Sequence, residues 1–343
     1  MQSVIRFGLL ISSCISYSVQ DEPKFNRDVL CAVRPDLYGG YNGNQKIFKD
    51  ALYNVAKNVI ASWYTDRGSE DTSFFDRVKS CNPNLRIPIV IYGMLNKDCA
   101  AGYSNSGRND SLLAYRKWLQ NFVNHLKDRK LLLIIEPDAL ALFTTTSCGA
   151  SSHYEQYLQA AVEILSQVSD AEIYVEFALW LVSQPDQLSN AASTVQRKIL
   201  GGKSVKGFRG FALNTSGYEY TETAAKMCQT ILSQFPGSGY KCLIDTSRNY
   251  HGPGQDHEWC NNKPAGIGKP FCDIQDVELR KNISYCLYVH GSGGSDGQCS
   301  DSNRSVTGIP AGKFDNDLFA LLYQQGYFVE KLGYPALSTK YHR

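Results

Sequence analysis

The chain carries no excess of charge of either sign: 35 Lys+Arg stand against 33 Asp+Glu, a formal +2 over 343 residues. Binding to a phosphate backbone needs a basic stripe, so nucleic acid is not the expected partner. No run in the body of the chain approaches the roughly 18 uninterrupted apolar residues of a membrane span, and no membrane partner is expected. The cysteines form no C-x-x-C pair and the histidines are scattered, which weighs against zinc. Neither H-E-x-x-H nor a Walker sequence is present, so metalloprotease and NTPase readings lose support. No tandem repeat, heptad run or Pro/Ser/Thr linker divides the chain, which reads as a single domain.

What is present begins with the N-terminus. Arg6 precedes an apolar stretch from Phe7 to Ile15, and Ser16-Tyr17-Ser18 follows. A basic start, a short apolar run and small residues form a secretory signal, so residues 1–18 are expected to be removed and 19–343 to fold. Ten cysteines then remain: Cys31, Cys81, Cys99, Cys148, Cys228, Cys242, Cys260, Cys272, Cys286 and Cys299. An even number in an exported chain implies disulfides, and sequons at Asn109, Asn214, Asn282 and Asn303 fit the same extracellular destination.

Short apolar runs recur at βα spacing: 59–64, 87–92, 131–136, 172–177, 208–213, 241–245 and 285–290. Amphipathic stretches lie between them, clearest at 111–129 and 153–168. Continuous apolar strands alternating with such helices predict a parallel sheet covered on both faces, hence an α/β fold. Each run ends on polar chemistry: Tyr92 and then Asp98, Glu136 and Asp138, Glu176, Asn214, Asp245 and Arg248, His290. Acidic groups gathered at the C-terminal ends of parallel strands are the layout of a barrel active site. An open doubly wound sheet would place them similarly, but no glycine fingerprint follows the early strands. Carboxylates accompanied by 21 Tyr, 15 Phe and 4 Trp suit glycoside cleavage. That reaction needs a carboxylic acid for the leaving oxygen, a second carboxylate to manage water, and flat rings for sugar faces.

The segments IYGMLNKDCAAGYSNSG (91–107), LLLIIEPDAL (131–140), IDTSRN (244–249) and EWCNN (258–262) resemble glycoside hydrolase family 6. The resemblance spans roughly residues 55–335. It implies a distorted parallel (β/α) barrel of about seven strands, β-1,4-glucan as partner, no metal or organic cofactor, and hydrolysis with inversion. Carried over by motif, Asp138 matches the general acid, and Asp98 the carboxylate that tunes it and acts as a remote base through water. Tyr92 matches the tyrosine beside the distorted sugar, and Ser104 the serine that holds the water chain. Trp63, Trp180 and Trp259 match aromatic platforms, and Asn214 a strand-end asparagine of the site. Arg248 matches the arginine that pairs with a third aspartate, here Asp296. The same resemblance pairs Cys99 with Cys148 and Cys260 with Cys299; the other six cysteines allow 15 connectivities. An inverting pair should flank a gap of about 6.5–9.5 Å that leaves room for water.

Three departures stand out. Glu176 occupies a strand-end aspartate position, with no histidine following and a shortened connection. His290 replaces a lysine and Gly294 a glutamate, so Asp296 is expected to be less compensated; those two family groups hold sugar hydroxyls. Gly93 and Lys97 stand where Asp and Arg are common. Bland alternatives accompany the sharp ones: Asp138 as a carboxylate satisfied by helix-start amides, and Tyr92 as an ordinary core tyrosine. Trp118, within an apolar helical pattern, is expected in the core. The short stretch between Asp296 and a C-terminal helix near Phe314 resembles the open-cleft endoglucanases of the family. The reading is therefore a secreted, monomeric, inverting endo-β-1,4-glucanase. Its alternative is a glucan-binding or developmental protein whose catalysis has decayed.

Overall fold

The computed structural model describes residues 29–340 except 34, 35, 68–70, 255–257, 301–304 and 307. The expected signal at 1–18 and the sequon at Asn303 lie outside the described residues.

All seven apolar runs are strands; 87–92, 208–213 and 241–245 coincide with the expected bounds, and the other four have ends displaced by one to three residues. They are β1 (Ser62–Thr65), β2 (Ile87–Tyr92), β3 (Lys130–Ile135), β4 (Asp170–Glu176), β5 (Phe208–Leu213), β6 (Lys241–Asp245) and β7 (Ile283–Leu287). They pair in sequence order, β1 to β7, and every pair is parallel. The sheet curls until its edges meet at one parallel bridge between Ile60 and Tyr288, where the Ala61 amide donates to the Tyr288 carbonyl at 2.8 Å. One short seam in place of a full ladder makes this a distorted, half-open barrel.

Period-two alternation sorts the strand residues between two cores. Val90, Leu132, Ile134, Tyr174, Ala212, Leu243 and Leu287 fill the barrel interior, with Leu30 and Val59 added from outside the strands. Ile89, Ile91, Leu131, Leu133, Ile135, Ile173, Val175, Phe211 and Ile244 face outward into the helical layer. Both faces are dry, which is why the runs read as uninterrupted apolar sequence.

The two clearest amphipathic stretches form α3 (Leu112–Leu126) and α6 (Tyr154–Leu165). Helix α3 starts where the Ser111 hydroxyl accepts the Ala114 amide at 3.2 Å, a side-chain N-cap. It buries Tyr115, Leu119, Phe122, Val123 and Leu126, the stripe that 3.6-residue periodicity requires. The seam is covered by α1 (Lys46–Ala56) and the last α-helix, α10 (Asn316–Gln324), whose Phe48, Phe319 and Tyr323 cluster with Ile60 and Tyr288. Trp118 is half-buried against the outer core and stacks on Tyr64, ring centroids 4.4 Å apart.

Ten cysteines form five disulfides: Cys31–Cys81, Cys99–Cys148, Cys228–Cys242, Cys260–Cys299 and Cys272–Cys286. The two pairings implied by the resemblance are among them. Two of the sequons are not surface features. Asn109 is buried, its side-chain amide donating to the Gly93 carbonyl at 2.7 Å, and Asn214 is buried at the end of β5. Only Asn282, partly exposed, remains among the described sequons.

Candidate active site

Because all strands run the same way, their C-terminal residues converge on one rim. Tyr92, Glu136, Asp138, Glu176, Asn214, Asp245 and His290 end or directly follow β2 to β7 there. At three of these turns the backbone is left-handed at residues other than glycine: Asp98 (φ 57°) after β2, Glu136 (41°) and Asp138 (69°) after β3, and Asn214 (70°) after β5. Such conformations cost free energy and persist only where surrounding contacts over-determine them.

Asp138 occupies the N-cap position of α4 (Ala139–Thr145), yet its side chain makes no capping hydrogen bond. The reading in which helix amides satisfy this carboxyl is thereby overturned: the carboxyl lies instead beside Ser216, in the field of Asp98, Asp296 and Arg248. Burial raises its pKa to about 6; Ser216 opposes the shift, the charges of Asp98 and Asp296 add to it, and Arg248 opposes it again. A carboxylic acid protonated in mildly acidic solution is what leaving-group protonation needs.

Asp98 follows β2, next to β3 in the sheet. Its Oδ2 accepts the Ser104 amide at 2.7 Å, and the Ala101, Gly102 and Tyr103 amides also point at the carboxylate. Burial nonetheless outweighs these donors and leaves the pKa above its ordinary value. Ser104 thus grips Asp98 through its backbone. Tyr92 is nearly buried at the end of β2, its ring edge-on to Trp63 at 5.5 Å. Its phenol is kept protonated by burial first, then by Asp138 and Asp98, so the hydroxyl stands within the field of both carboxyls.

Asp296 corrects a sequence expectation. The lost lysine and glutamate were expected to leave it under-compensated. Instead Arg248 Nη1 lies 2.7 Å from Oδ1, while the Tyr218 hydroxyl (2.8 Å) and the Asn261 amide (2.9 Å) donate to Oδ2. Burial alone would raise its pKa, but Arg248 and these donors hold it below the ordinary value. Arg248 is itself stacked 4.5 Å over the Tyr218 ring. Tyr218 and Asn261 were not singled out in the sequence, although Asn261 sits within the EWCNN segment quoted above.

His290 does not take over the lysine's part as a fixed cation. Its Nδ1 lies 3.3 Å from Asp245 and its ring 4.8 Å from Trp63, and burial, then Arg248, lowers its pKa. Asn214 is also reassigned. Its side-chain amide donates to the carbonyls of Glu219 and Asp245 and its oxygen accepts the Glu219 amide, so it braces the rim and has no hydrogens left for a sugar. Trp63 is half-buried with its indole N–H on the Val289 carbonyl at 2.9 Å. Trp180, on a 3-10 turn after β4, and Trp259 are exposed.

Two buried glutamates complete the rim. Glu136 accepts the Gly93 amide (2.9 Å) and the Tyr115 hydroxyl (2.8 Å), tying the end of β3 to the end of β2; burial raises its pKa to about 7. Glu176 Oε2 accepts the backbone amide of Asp138 at 3.0 Å. The residue in the unusual acidic place therefore holds the backbone of Asp138. Lys97, almost fully buried, pairs with Asp66 at 2.7 Å and donates to the Ser106 carbonyl, pinning the loop that carries Asp98. The pentapeptide 293–297 has the letters of a G-x-S-x-G elbow, but Ser295 Oγ donates to the Ile309 carbonyl at 2.7 Å within a loop.

Parallel strands, a carboxyl-lined cleft at their C-terminal rim and flanking aromatic rings define an α/β-barrel protein whose site lies above the sheet. The chain belongs to the glycosyl hydrolases family 6, whose model matches residues 40–325. It is 30% identical over 188 residues to Endoglucanase A of Thermobispora bispora, covering 53% of this chain and 39% of that protein. With Endoglucanase A of Cellulomonas fimi it shares 30% over 217 residues, 62% of this chain and 42% of that one. The matches thus span about two fifths of the length of these relatives. Among solved structures, cellobiohydrolase II from Humicola insolens in complex with glucose and cellotetraose superposes with a TM-score of 0.70 at 21% identity, covering 83% of this chain and 92% of that chain.

Proposed function

We propose that this protein is an exported endo-β-1,4-glucanase acting by single displacement with inversion. The observation that carries the reading is the carboxyl of Asp138: turned away from its helix, raised to about 6, and within the field of Asp98 from the neighbouring strand. In this reading Asp138 gives its proton to the glycosidic oxygen while water attacks the anomeric carbon from the opposite face. The water's proton passes toward Asp98, whose carboxylate is oriented by four backbone amides. Tyr92 lies beside the reacting ring, and Trp63, Trp180 and Trp259 take sugar faces. The chemistry calls on these side chains alone.

Cleavage within the chain is supported by how the loop after β7 folds. Gly294 bridges Phe314, the Ser295 amide donates to the Lys313 carbonyl (2.9 Å) and the Asp315 amide to the Gly293 carbonyl (2.8 Å). The loop is zipped onto its own base, and in this reading it does not roof the cleft. Export is supported by five disulfides and by the apolar leader.

The test is release of reducing ends from a soluble β-1,4-glucan by wild type and by Asp138→Asn. Activity that falls at least about a thousandfold in the variant supports the reading. Viscosity dropping faster than sugar appears supports endo cleavage. Two equally silent proteins that still bind the glucan would replace the enzyme by a binding protein on the same scaffold.

A further inference from the structure

Tyr103 lies within the segment 91–107 but has been given no role above, yet it joins two loops of the site. Its amide points at the Asp98 carboxylate and its neighbour Ser104 donates to the same group. Its side chain leaves that loop and lies on Gly297, directly after Asp296. A Cβ on Gly297 would fall 2.5 Å from Tyr103 Cγ and 2.7 Å from its Cβ, so the missing side chain is the seat of the ring. Gly297 has φ 146°, a backbone conformation that favours glycine independently. Beyond it the ring meets Trp259, centroids 6.2 Å apart and planes tilted by 38°.

The platform beneath is rigid. Asn261 Nδ2 donates to the Gly297 carbonyl at 2.9 Å, and the Cys260–Cys299 disulfide ties the Trp259 turn to the same loop. Despite this anchoring the two rings remain open to solvent, 40% for Tyr103 and 51% for Trp259. A core role would have hidden them. Two touching, tilted rings form one continuous apolar wall, and the apolar face of a glucosyl unit is the complementary shape.

We propose that Tyr103 is a substrate-binding residue that extends the Trp259 platform toward Asp98 and holds a glucosyl unit of the glucan beside the acid-bearing loops. The inference rests on the glucanase reading, and it adds a specificity-determining contact on the Asp98 side of the cleft. The Tyr103 ring does no proton transfer. It sets where the chain lies, so its loss should appear in affinity before it appears in turnover.

The experiment is calorimetric binding of cellohexaose to the Asp138→Asn protein, alone and with further changes. Tyr103→Ala is expected to weaken binding roughly five- to tenfold, the scale of one aromatic contact. Tyr103→Leu, which still fills the seat on Gly297 but offers no ring, should weaken it as much, while Tyr103→Phe should stay within about twofold. Trp259→Ala should cause a comparable loss, and the Tyr103/Trp259 double variant should lose less than the product of the two, because the rings share one wall. If Tyr103→Ala and Tyr103→Leu bind as tightly as their parent while Trp259→Ala loses affinity, Tyr103 is no part of the site and the inference falls alone. If the parent itself takes no cellohexaose, the inference falls together with the glucanase reading.

Discussion

Asp138 and Asp296 are both carboxyls inside one cleft, and the structure drives them in opposite directions. Asp138 is half-buried, and desolvation with like charges nearby pushes it up to about 6. Asp296 is half-buried too, but Arg248 at 2.7 Å, then His290 and two hydrogen-bond donors, pull it down. Asp138 therefore holds its proton up to about pH 6 while Asp296 ionises below the ordinary range, a separation of the kind that acid catalysis by carboxyls uses. The sign of the pH dependence follows. The general acid works only while protonated, so kcat/KM should fall as pH rises through about 6, tenfold per unit beyond it. A pH–rate profile on a soluble glucan checks this, and a descending limb below pH 5 would contradict it. Identity at these positions was legible from motif; the charge balance was not, because Tyr218 and the Asn261 amide reach Asp296 only through space.

Gly93 and Trp118 show what contact between elements adds. In the sequence Gly93 is a departure at a position where Asp is common, and Trp118 is one apolar residue in a helical pattern. In the fold α3 lays the Trp118 indole over the turn after β2, where a Cβ on Gly93 would sit 2.6 Å from the ring. The glycine is therefore the price of packing α3 so close, and its amide is also the donor to Glu136. Gly93→Ala should lower stability by about 1–3 kcal/mol through overpacking. Adding Trp118→Ala should cost less in that background than in wild type, a coupling that thermal denaturation of the four proteins measures. Strand existence was readable because both sheet faces are buried and the runs are uninterrupted. The ends were readable for β2, β5 and β6 but shifted by one to three residues in the other four, where loop contacts decide where pairing starts and stops.

For the molecule as a whole, curling of the sheet decides which surface residues remain surface. Asn109 and Asn214 satisfy the sequon pattern, but each is buried and spends its side-chain amide on backbone carbonyls. A glycan on either would expel them from those bonds. Peptide mapping of the protein produced through a secretory pathway should find neither Asn109 nor Asn214 glycosylated; a stoichiometric glycan at Asn214 would contradict the packing of the β5 rim. The disulfides act at the same scale, with Cys99–Cys148 and Cys260–Cys299 each joining two segments of the rim.

By itself the sequence determined the seven strands, their parallel kind and the acid-bearing turns, because periodicity and short motifs are local and survive without coordinates; two disulfides came only through the family resemblance. Only the tertiary structure decided which carboxyl's pKa is raised and which is lowered, that Asn214 braces the rim, that Glu176 grips the backbone of Asp138, and that Tyr103 lies on Gly297 beside Trp259. Each of these depends on groups distant in the chain whose separation is fixed when the sheet closes, and electrostatics and packing are functions of that separation alone.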